Sequence, residues 1–339
     1  MNIENNLIIK QAEVFYDVQF VKEVAIGYTG NRVFEVEKEG ERYILRASKY
    51  KPESEKYIEF ELKWMAYLAN HLDNIVKPQR SIKGNLYEIA RLDENSYILC
   101  LFEKASGKIV DVNNPMEFNE TLFFNLGKLM GKMHRLTRAY EGNIRIPEFE
   151  WNSPATSWRF KNLIEDEAVR QCQQKYHDEI CLLPIDQESY GIIHYDIHTD
   201  NFFVDKENIK LFDFNACQFN WYAADIASAL FFLIQKGAGP LTYKSEEERT
   251  NFAETCFIAY LNGYLLKNNI SEYWIKKVDL FMKYQMADEY IAGQNFWPEN
   301  LAHLREWYLN WHKERITSGA SYAFIDYDKI LSCISNIKS

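Results

Sequence analysis

The chain has 339 residues, 47% of them hydrophobic and 26% charged, an ordinary globular balance with length enough for two lobes and a sizeable core. A net charge of −10 and a pI near 5.4 argue against a nucleic-acid partner, because a phosphate backbone calls for a basic face. No apolar run reaches the roughly 18 residues of a membrane span and no basic, apolar, cleavable leader opens the chain, so a cytoplasmic protein without a membrane partner is expected. The six cysteines, Cys100, Cys172, Cys181, Cys217, Cys256 and Cys333, are scattered without a C-x-x-C pair and mostly flanked by apolar residues. They read as buried thiols and support neither a disulfide framework nor a zinc site.

In chain order, residues 4–17 read as a short helix. Three strand-like runs follow, 18–26, 32–37 and 42–47, separated by glycine-containing turns, which predicts an antiparallel sheet. Arg46 lies in the third run, where its guanidinium either faces solvent or grips phosphate oxygens through two N–H groups. A helix over 53–68 carries Ile58, Leu62, Met65 and Leu68 at three- and four-residue steps, the stripe that packs on a sheet. Runs 86–91 and 96–103 complete the sheet. Beyond them the pattern turns helical: Leu122, Leu126, Leu129, Met133 and Leu136 form one apolar stripe, and further helices are expected near 160–178, 222–235, 246–267, 271–290 and 298–317. Residues 1–103 thus form a sheet-containing lobe and 104–339 a mostly helical one.

The most informative segment is His194-Tyr195-Asp196-Ile197-His198-Thr199-Asp200-Asn201, followed twelve positions later by Asp213. Two short apolar runs joined by a polar turn lie between Asn201 and Asp213, the pattern of a tight β-hairpin. A hairpin brings its ends together, so Asn201 and Asp213 are expected side by side as oxygen ligands of a hard cation. Asp196, facing the same cavity, would place a base beside a metal-bound triphosphate. Taken singly, Asp and Asn in a hairpin are turn formers, and His-x-Asp-x-His can suggest a transition-metal site. The four residues together, in this order and spacing, favour phosphoryl transfer. Asp225, at the expected start of a helix, can accept backbone N–H groups.

The pattern His194-x-Asp196-x-His198-x-x-Asn201, with Asp213 after it, resembles the aminoglycoside phosphotransferase and choline kinase-like superfamily, small-molecule kinases that share the protein-kinase fold. The helical segment from Leu126 to His134 is similar to the helix after the hinge in that family, and Trp221-Tyr222-Ala223-Ala224-Asp225 to the segment after its metal-binding Asp. The resemblance implies an α+β, bilobal protein kinase-like fold, with an N-terminal antiparallel sheet lobe holding one main helix and a larger, mostly helical C-terminal lobe. It implies ATP (or GTP) and Mg2+, with Asp196 as catalytic base, Asn201 and Asp213 as metal ligands, and His194, His198 and Asp225 ordering the loop. Gly27, Gly30 and Asn31 would cover the phosphates, Arg46 would neutralise them with Glu61 or Glu59 orienting it, and the backbone at Phe102, Glu103 and Ala105 would meet the base. Arg46 stands where protein kinases carry Lys, and Tyr195 where they usually carry Arg. About a dozen residues separate Asp213 from Asp225, with no Ala-Pro-Glu, which leaves no room for the activation segment of a protein kinase. The implied acceptor is a hydroxyl of a small polar molecule of aminoglycoside, amino alcohol, amino acid or sugar type, with Asp288, Glu289, Trp297 and Glu299 as candidate contacts. An unusual Ser/Thr protein kinase is the alternative enzyme. A catalytically silent nucleotide-binding protein is the other alternative, resting on Asn215, where relatives often carry an acidic residue.

Overall fold

Two units divide the chain, Met1–Gly107 with Lys210–Asn215, and Lys108–Ile209 with Ala216–Ser339. The computed structural model describes residues 3–26, 30–92, 95–154, 156 and 164–334, and of Ala25 and Ile26 the backbone alone.

The first unit runs α1 (Ile3–Tyr16), β1 (Gln19–Ile26), β2 (Arg32–Lys38), β3 (Glu41–Lys49), α2 (Pro52–Ala69), β4 (Pro78–Gln79), β5 (Glu88–Arg91) and β6 (Ser96–Glu103). Its strands form one antiparallel sheet in the order β1-β2-β3-β6-β4, with β5 also paired to β6. Between β2 and β3 the turn residues Glu39 and Gly40 both take positive φ, +52° and +84°, the two-residue hairpin turn whose twist matches that of the strands. Side chains alternate along β3, so Leu45 and Ala47 face one way and Arg46 the other. On the first face Leu45, Ala47, Phe34, Val36, Leu99 and Leu101 form a buried core with Ile8, Ala12 and Tyr16 of α1. The Tyr16 hydroxyl donates to the Leu99 carbonyl at 2.7 Å. Helix α2 starts on Pro52, with Glu53 and Glu55 complementing the helix dipole in the first turn. It buries the expected stripe of Ile58, Leu62, Met65 and Leu68, and Glu61 with it. Residues Lys210–Asn215 belong to this unit because Leu211 exchanges backbone bonds with Asn74 and Val76, at 2.7 and 3.0 Å, and the Phe214 ring meets Trp64 edge to face at 5.3 Å.

The second unit contains α3 (Glu120–Arg138), α4 (Glu167–Cys181), β7 (Tyr190–Ile193), β8 (Phe202–Asp205), β9 (Asn208–Leu211), β10 (Gln218–Trp221), α5 (Tyr222–Ala238), α6 (Glu246–Leu265), α7 (Glu272–Asn295), α8 (Arg305–Thr317) and α9 (Tyr327–Cys333), the last two residues of β9 lying in the first unit. Helix α3 is capped by Asn119, whose side chain accepts from Thr121 and Leu122 N–H. Helices α3 and α6 approach until backbones touch: a Cβ at Gly127 would overlap the Tyr260 carbonyl, and one at Gly263 the Phe124 carbonyl. The expected hairpin is present as β8 and β9, turned by Lys206 and Glu207 with Lys206 at φ +57°. Strands β7 and β10 pair antiparallel and have no counterpart in the expected elements.

Three expectations need adjustment. The helix expected near 160–178 begins at Glu167, capped by Asp166, and residues 160–163 lie outside those described. The helix expected over 298–317 is interrupted: Pro298 opens a 3-10 segment, Glu299–Leu304, before α8 begins at Arg305. Cys100, Cys217 and Cys256 are buried, but Cys181 and Cys333 are exposed at the last residues of α4 and α9, where the helix ends meet solvent. Among the described residues no helix is long and apolar enough to cross a membrane.

Candidate active site

In the first unit Arg46 of β3 and Glu61 of α2 form a buried, two-pronged ion pair, Nη1 to Oε1 at 2.8 Å and Nη2 to Oε2 at 2.7 Å. Glu59, the other candidate, pairs instead with Lys63 one turn along α2. Burial opposes the Arg46 charge, yet Glu61 outweighs it and holds the guanidinium pKa above its ordinary value, with Asp213 adding in the same direction. The Phe102 ring lies 5.2 Å from the guanidinium, a cation–π contact. One group is left over: Arg46 Nε is buried and has no hydrogen-bond partner. Asp213 adopts a left-handed backbone, φ +60°, which is uncommon outside glycine. Gly30 takes φ +78° in open space, so glycine is needed there for the turn and not for room. Gly27 lies outside the described residues, and Asn31 is half-buried at the start of β2. At the end of β6 the Glu103 N–H donates to Lys77 O at 3.0 Å, its carboxylate pairs with Lys210, and Ala105 is half-buried just beyond.

In the second unit the loop after β7 is held from below by one carboxylate. Asp225, fully buried in the first turn of α5, accepts the backbone N–H of Tyr195 at 2.7 Å and of His194 at 3.1 Å. Tyr195 itself sits at φ +65°, a costly conformation for a bulky residue. It is fixed from both sides, since Ser228 donates to its carbonyl at 2.7 Å. Asp225 is in turn fixed by His134 of α3, whose Nε2 lies 3.0 Å from Oδ2 and whose Nδ1 lies 3.0 Å from the Tyr264 hydroxyl. Burial holds the His134 pKa below its ordinary value despite Asp225, so the ring is neutral, donating from Nε2 and accepting at Nδ1, a tautomer assigned from these partners. The sequence placed His134 on a helix but gave no sign of this role, which depends on a partner on α6.

Asn201 closes the loop. Its Nδ2 donates to the Asp196 carbonyl at 2.8 Å and to Asp196 Oδ2 at 3.1 Å, which leaves the amide oxygen as its free acceptor. His194 is buried and its Nδ1 accepts from the Asp196 N–H at 3.3 Å. His198 lies between two carboxylates, Nε2 at 3.6 Å from Asp196 and Nδ1 at 3.6 Å from Asp200. Burial disfavours its charge, but the two acids prevail and push its pKa up to about 9. Among the described residues no three of His, Cys, Asp and Glu cluster as a metal site.

Of the acceptor candidates, Glu289 and Trp297 are brought together by Tyr308, whose hydroxyl donates to Glu289 and whose ring lies 4.6 Å from that of Trp297. Burial raises the Glu289 carboxyl above its usual range. The Trp297 indole N–H donates to Leu301 O, Asp288 is buried within α7, and Glu299 stands exposed on the 3-10 segment. Tyr284 and Tyr290 belong to the core, whereas Phe296 and Trp307 are exposed.

A sheet unit with a buried strand Arg paired to a helix Glu, and a helical unit with a braced His-x-Asp-x-His-x-x-Asn loop, are the parts of a phosphotransferase of protein-kinase-like fold. Residues 21–264 match the phosphotransferase enzyme family, and the chain belongs to that family. It is similar to amicoumacin kinase of Bacillus subtilis (strain 168), 28% identical over 288 residues that cover 80% of this chain and 83% of that protein. Its fold is shared with the solved structure of an amicoumacin kinase in complex with AMP-PNP, Ca2+ and Ami, at a TM-score of 0.82 and 23% identity over 96% of this chain and 97% of the other. The structure of a microcompartment-associated aminopropanol kinase is similar at a TM-score of 0.69 and 18% identity, covering 91% and 95%. The protein is a small-molecule phosphotransferase of this family.

Proposed function

We propose that the protein transfers the γ-phosphoryl group of ATP, with magnesium, to a hydroxyl of a small amine-bearing molecule. The observation that carries this reading is the Asp196–Asn201 pair on its braced loop, a carboxylate oriented by hydrogen bonds on both its backbone and its side chain. Asp196 takes the proton of the acceptor hydroxyl as that oxygen bonds to the γ-phosphorus and the bond from phosphorus to the departing ADP oxygen breaks. The Asn201 amide oxygen and the Asp213 carboxylate are hard oxygen donors of the kind magnesium prefers and would hold the ion, which would neutralise phosphate charge when bound. The buried, unpartnered Nε–H of Arg46 fits a phosphate oxygen, and Glu61 keeps the guanidinium charged and fixed in orientation. His194 and His198 order the loop. The names of the amicoumacin and aminopropanol kinases support an acceptor of amino alcohol or antibiotic type, and the Glu289–Tyr308–Trp297 cluster is a suitable contact for it.

The test is a mass-spectrometric screen of wild type and Asp196→Asn with MgATP, or MgGTP, and pools of amino alcohols, amino acids, sugars and aminoglycosides. A product formed by wild type, with turnover reduced about 10²- to 10⁴-fold in Asp196→Asn, is expected. Full activity in that variant would remove Asp196 from its role, and a protein lacking MgATP binding altogether would point to a silent fold.

A further inference from the structure

A cavity of about 340 Å³ opens on the second unit, and none of Asp196, His198 or Asn201 lines it. Its wall includes Arg138, Ser189, Tyr222, Tyr264, Ser271 and Trp274. The size suits a small-molecule site.

Three features of the wall select an anion. Arg138, only 15% exposed at the end of α3, uses Nη1 alone for hydrogen bonds, and both go to Glu188, whose side chain is 81% exposed. A largely buried guanidinium paired with a solvent-facing carboxylate is a cation whose partner can be exchanged for the acid of a ligand. Ser189, 6% exposed, has a hydroxyl without any hydrogen-bond partner. Helix α7, 24 residues long, begins at the rim, and the side chain of its N-cap Ser271 does not cap it, so the first N–H groups and the positive end of the dipole are left to a ligand. The other acid of the wall, Asp186, is already engaged by the N–H groups of Glu188 and Ser189, each at 2.9 Å. Trp274 adds flat apolar surface, while the buried Tyr222 ring lies under the Arg138 guanidinium at 5.8 Å and helps to place it.

The back of the cavity is the brace of the catalytic loop. Tyr222 stacks on His134 at 4.4 Å, and the Tyr264 hydroxyl holds His134 Nδ1. His134 fixes Asp225, and Asp225 fixes the N–H groups of His194 and Tyr195.

We propose that this cavity binds a small organic anion and that its occupation tightens the brace on the catalytic loop. A carboxylate or phosphate headgroup sits on Arg138, Ser189 and the α7 N-terminus, and a flat apolar body lies against Trp274. The site is distinct from the phosphotransfer residues, and its binding assay does not depend on their role.

Isothermal titration calorimetry of the full chain with phenyl phosphate and with benzoate tests it and separates the two headgroups. Binding of at least one probe is expected, weakened about tenfold or more in Arg138→Met, as loss of one charge-assisted pair implies, and several-fold in Ser189→Ala, and unchanged in Arg46→Met. Bound probe should slow hydrogen exchange at the amides of residues 194–196 in wild type, while Ser189→Ala keeps wild-type basal turnover. If Arg138→Met does not fold, Ser189→Ala decides. Absence of binding by both probes at millimolar concentration overturns the proposal, as does binding lost in Arg46→Met but intact in Ser189→Ala, which places the probe at the nucleotide-binding residues. Binding that leaves exchange at 194–196 unaltered overturns the coupling to the loop.

Discussion

Replacing Asp225 by Asn should disable the enzyme without touching any reacting atom. Asp225 is fully buried and its two oxygens accept three N–H groups, Tyr195 on Oδ1 and both His194 and His134 Nε2 on Oδ2. Asparagine offers one oxygen. With that oxygen on Tyr195, its NH2 group faces two donors. His134 can adapt by moving its proton to Nδ1 and donating to the Tyr264 hydroxyl, which already accepts from Asn268 at 2.8 Å. The backbone N–H of His194 cannot adapt and is left buried without an acceptor. One such orphan costs about 1–3 kcal/mol, and exchanging charge-assisted bonds for neutral ones brings the total to about 2–4 kcal/mol. The strained Tyr195, released from one of its restraints, then relaxes and carries Asp196 with it. A displacement near 1 Å of a catalytic group lowers turnover about 10²-fold. Urea denaturation should show the loss of stability, and steady-state kinetics a fall in kcat with nucleotide KM unchanged. An Asp225→Asn protein with the wild-type urea midpoint and wild-type kcat would refute the brace.

Glu61→Ala should leave Arg46 charged and buried without its partner, costing about 3–5 kcal/mol in urea denaturation, and wild-type stability would show that solvent reaches the pair. His198 has its folded pKa raised from 6.5 to about 9, so the stability it contributes is complete below pH 6.5 and is lost as pH rises through 9. The stability difference between wild type and His198→Asn should therefore shrink across that window, and a difference constant with pH would contradict an imidazolium there. Gly263→Ala should destabilise by about 3 kcal/mol or more, since its Cβ meets a backbone carbonyl that no rotamer can move, and a neutral effect on melting would mean that α3 and α6 are further apart than described.

Legibility in the sequence followed the range of the signal. The α2 stripe and the strands of the first unit were readable because each shows its period within one element. The hairpin β8–β9 was readable from its turn, and the spacing of Asp196, Asn201 and Asp213 is what singles them out for the roles proposed above. Strands β7 and β10 were missed because Tyr-Gly-Ile-Ile and Gln-Phe-Asn-Trp are buried on both faces and show no alternation. Whether Glu59 or Glu61 meets Arg46 could not be read, since both lie within one turn of α2 and the choice depends on how the helix rotates on the sheet. The part played by His134 was unreadable for a similar reason: Tyr264 and Asp225 are each about a hundred residues away, at separations of 130 and 91, and no local pattern announces such a meeting.

The touching backbones of α3 and α6 have a consequence for how such a protein can diversify. His134 lies about two turns beyond Gly127 on α3, and Tyr264 is the neighbour of Gly263 on α6, so the seam those glycines permit also sets the distance between ring and hydroxyl. Two glycines outside the His-x-Asp loop are thereby fixed by packing, since a Cβ at either would overlap a backbone carbonyl. Glu289 on α7, Trp297 just beyond its end and Tyr308 on α8 lie outside that seam. If the acceptor binds there as proposed, its preference can drift through substitutions at that cluster while the seam stands still, which separates what the molecule phosphorylates from how it does so.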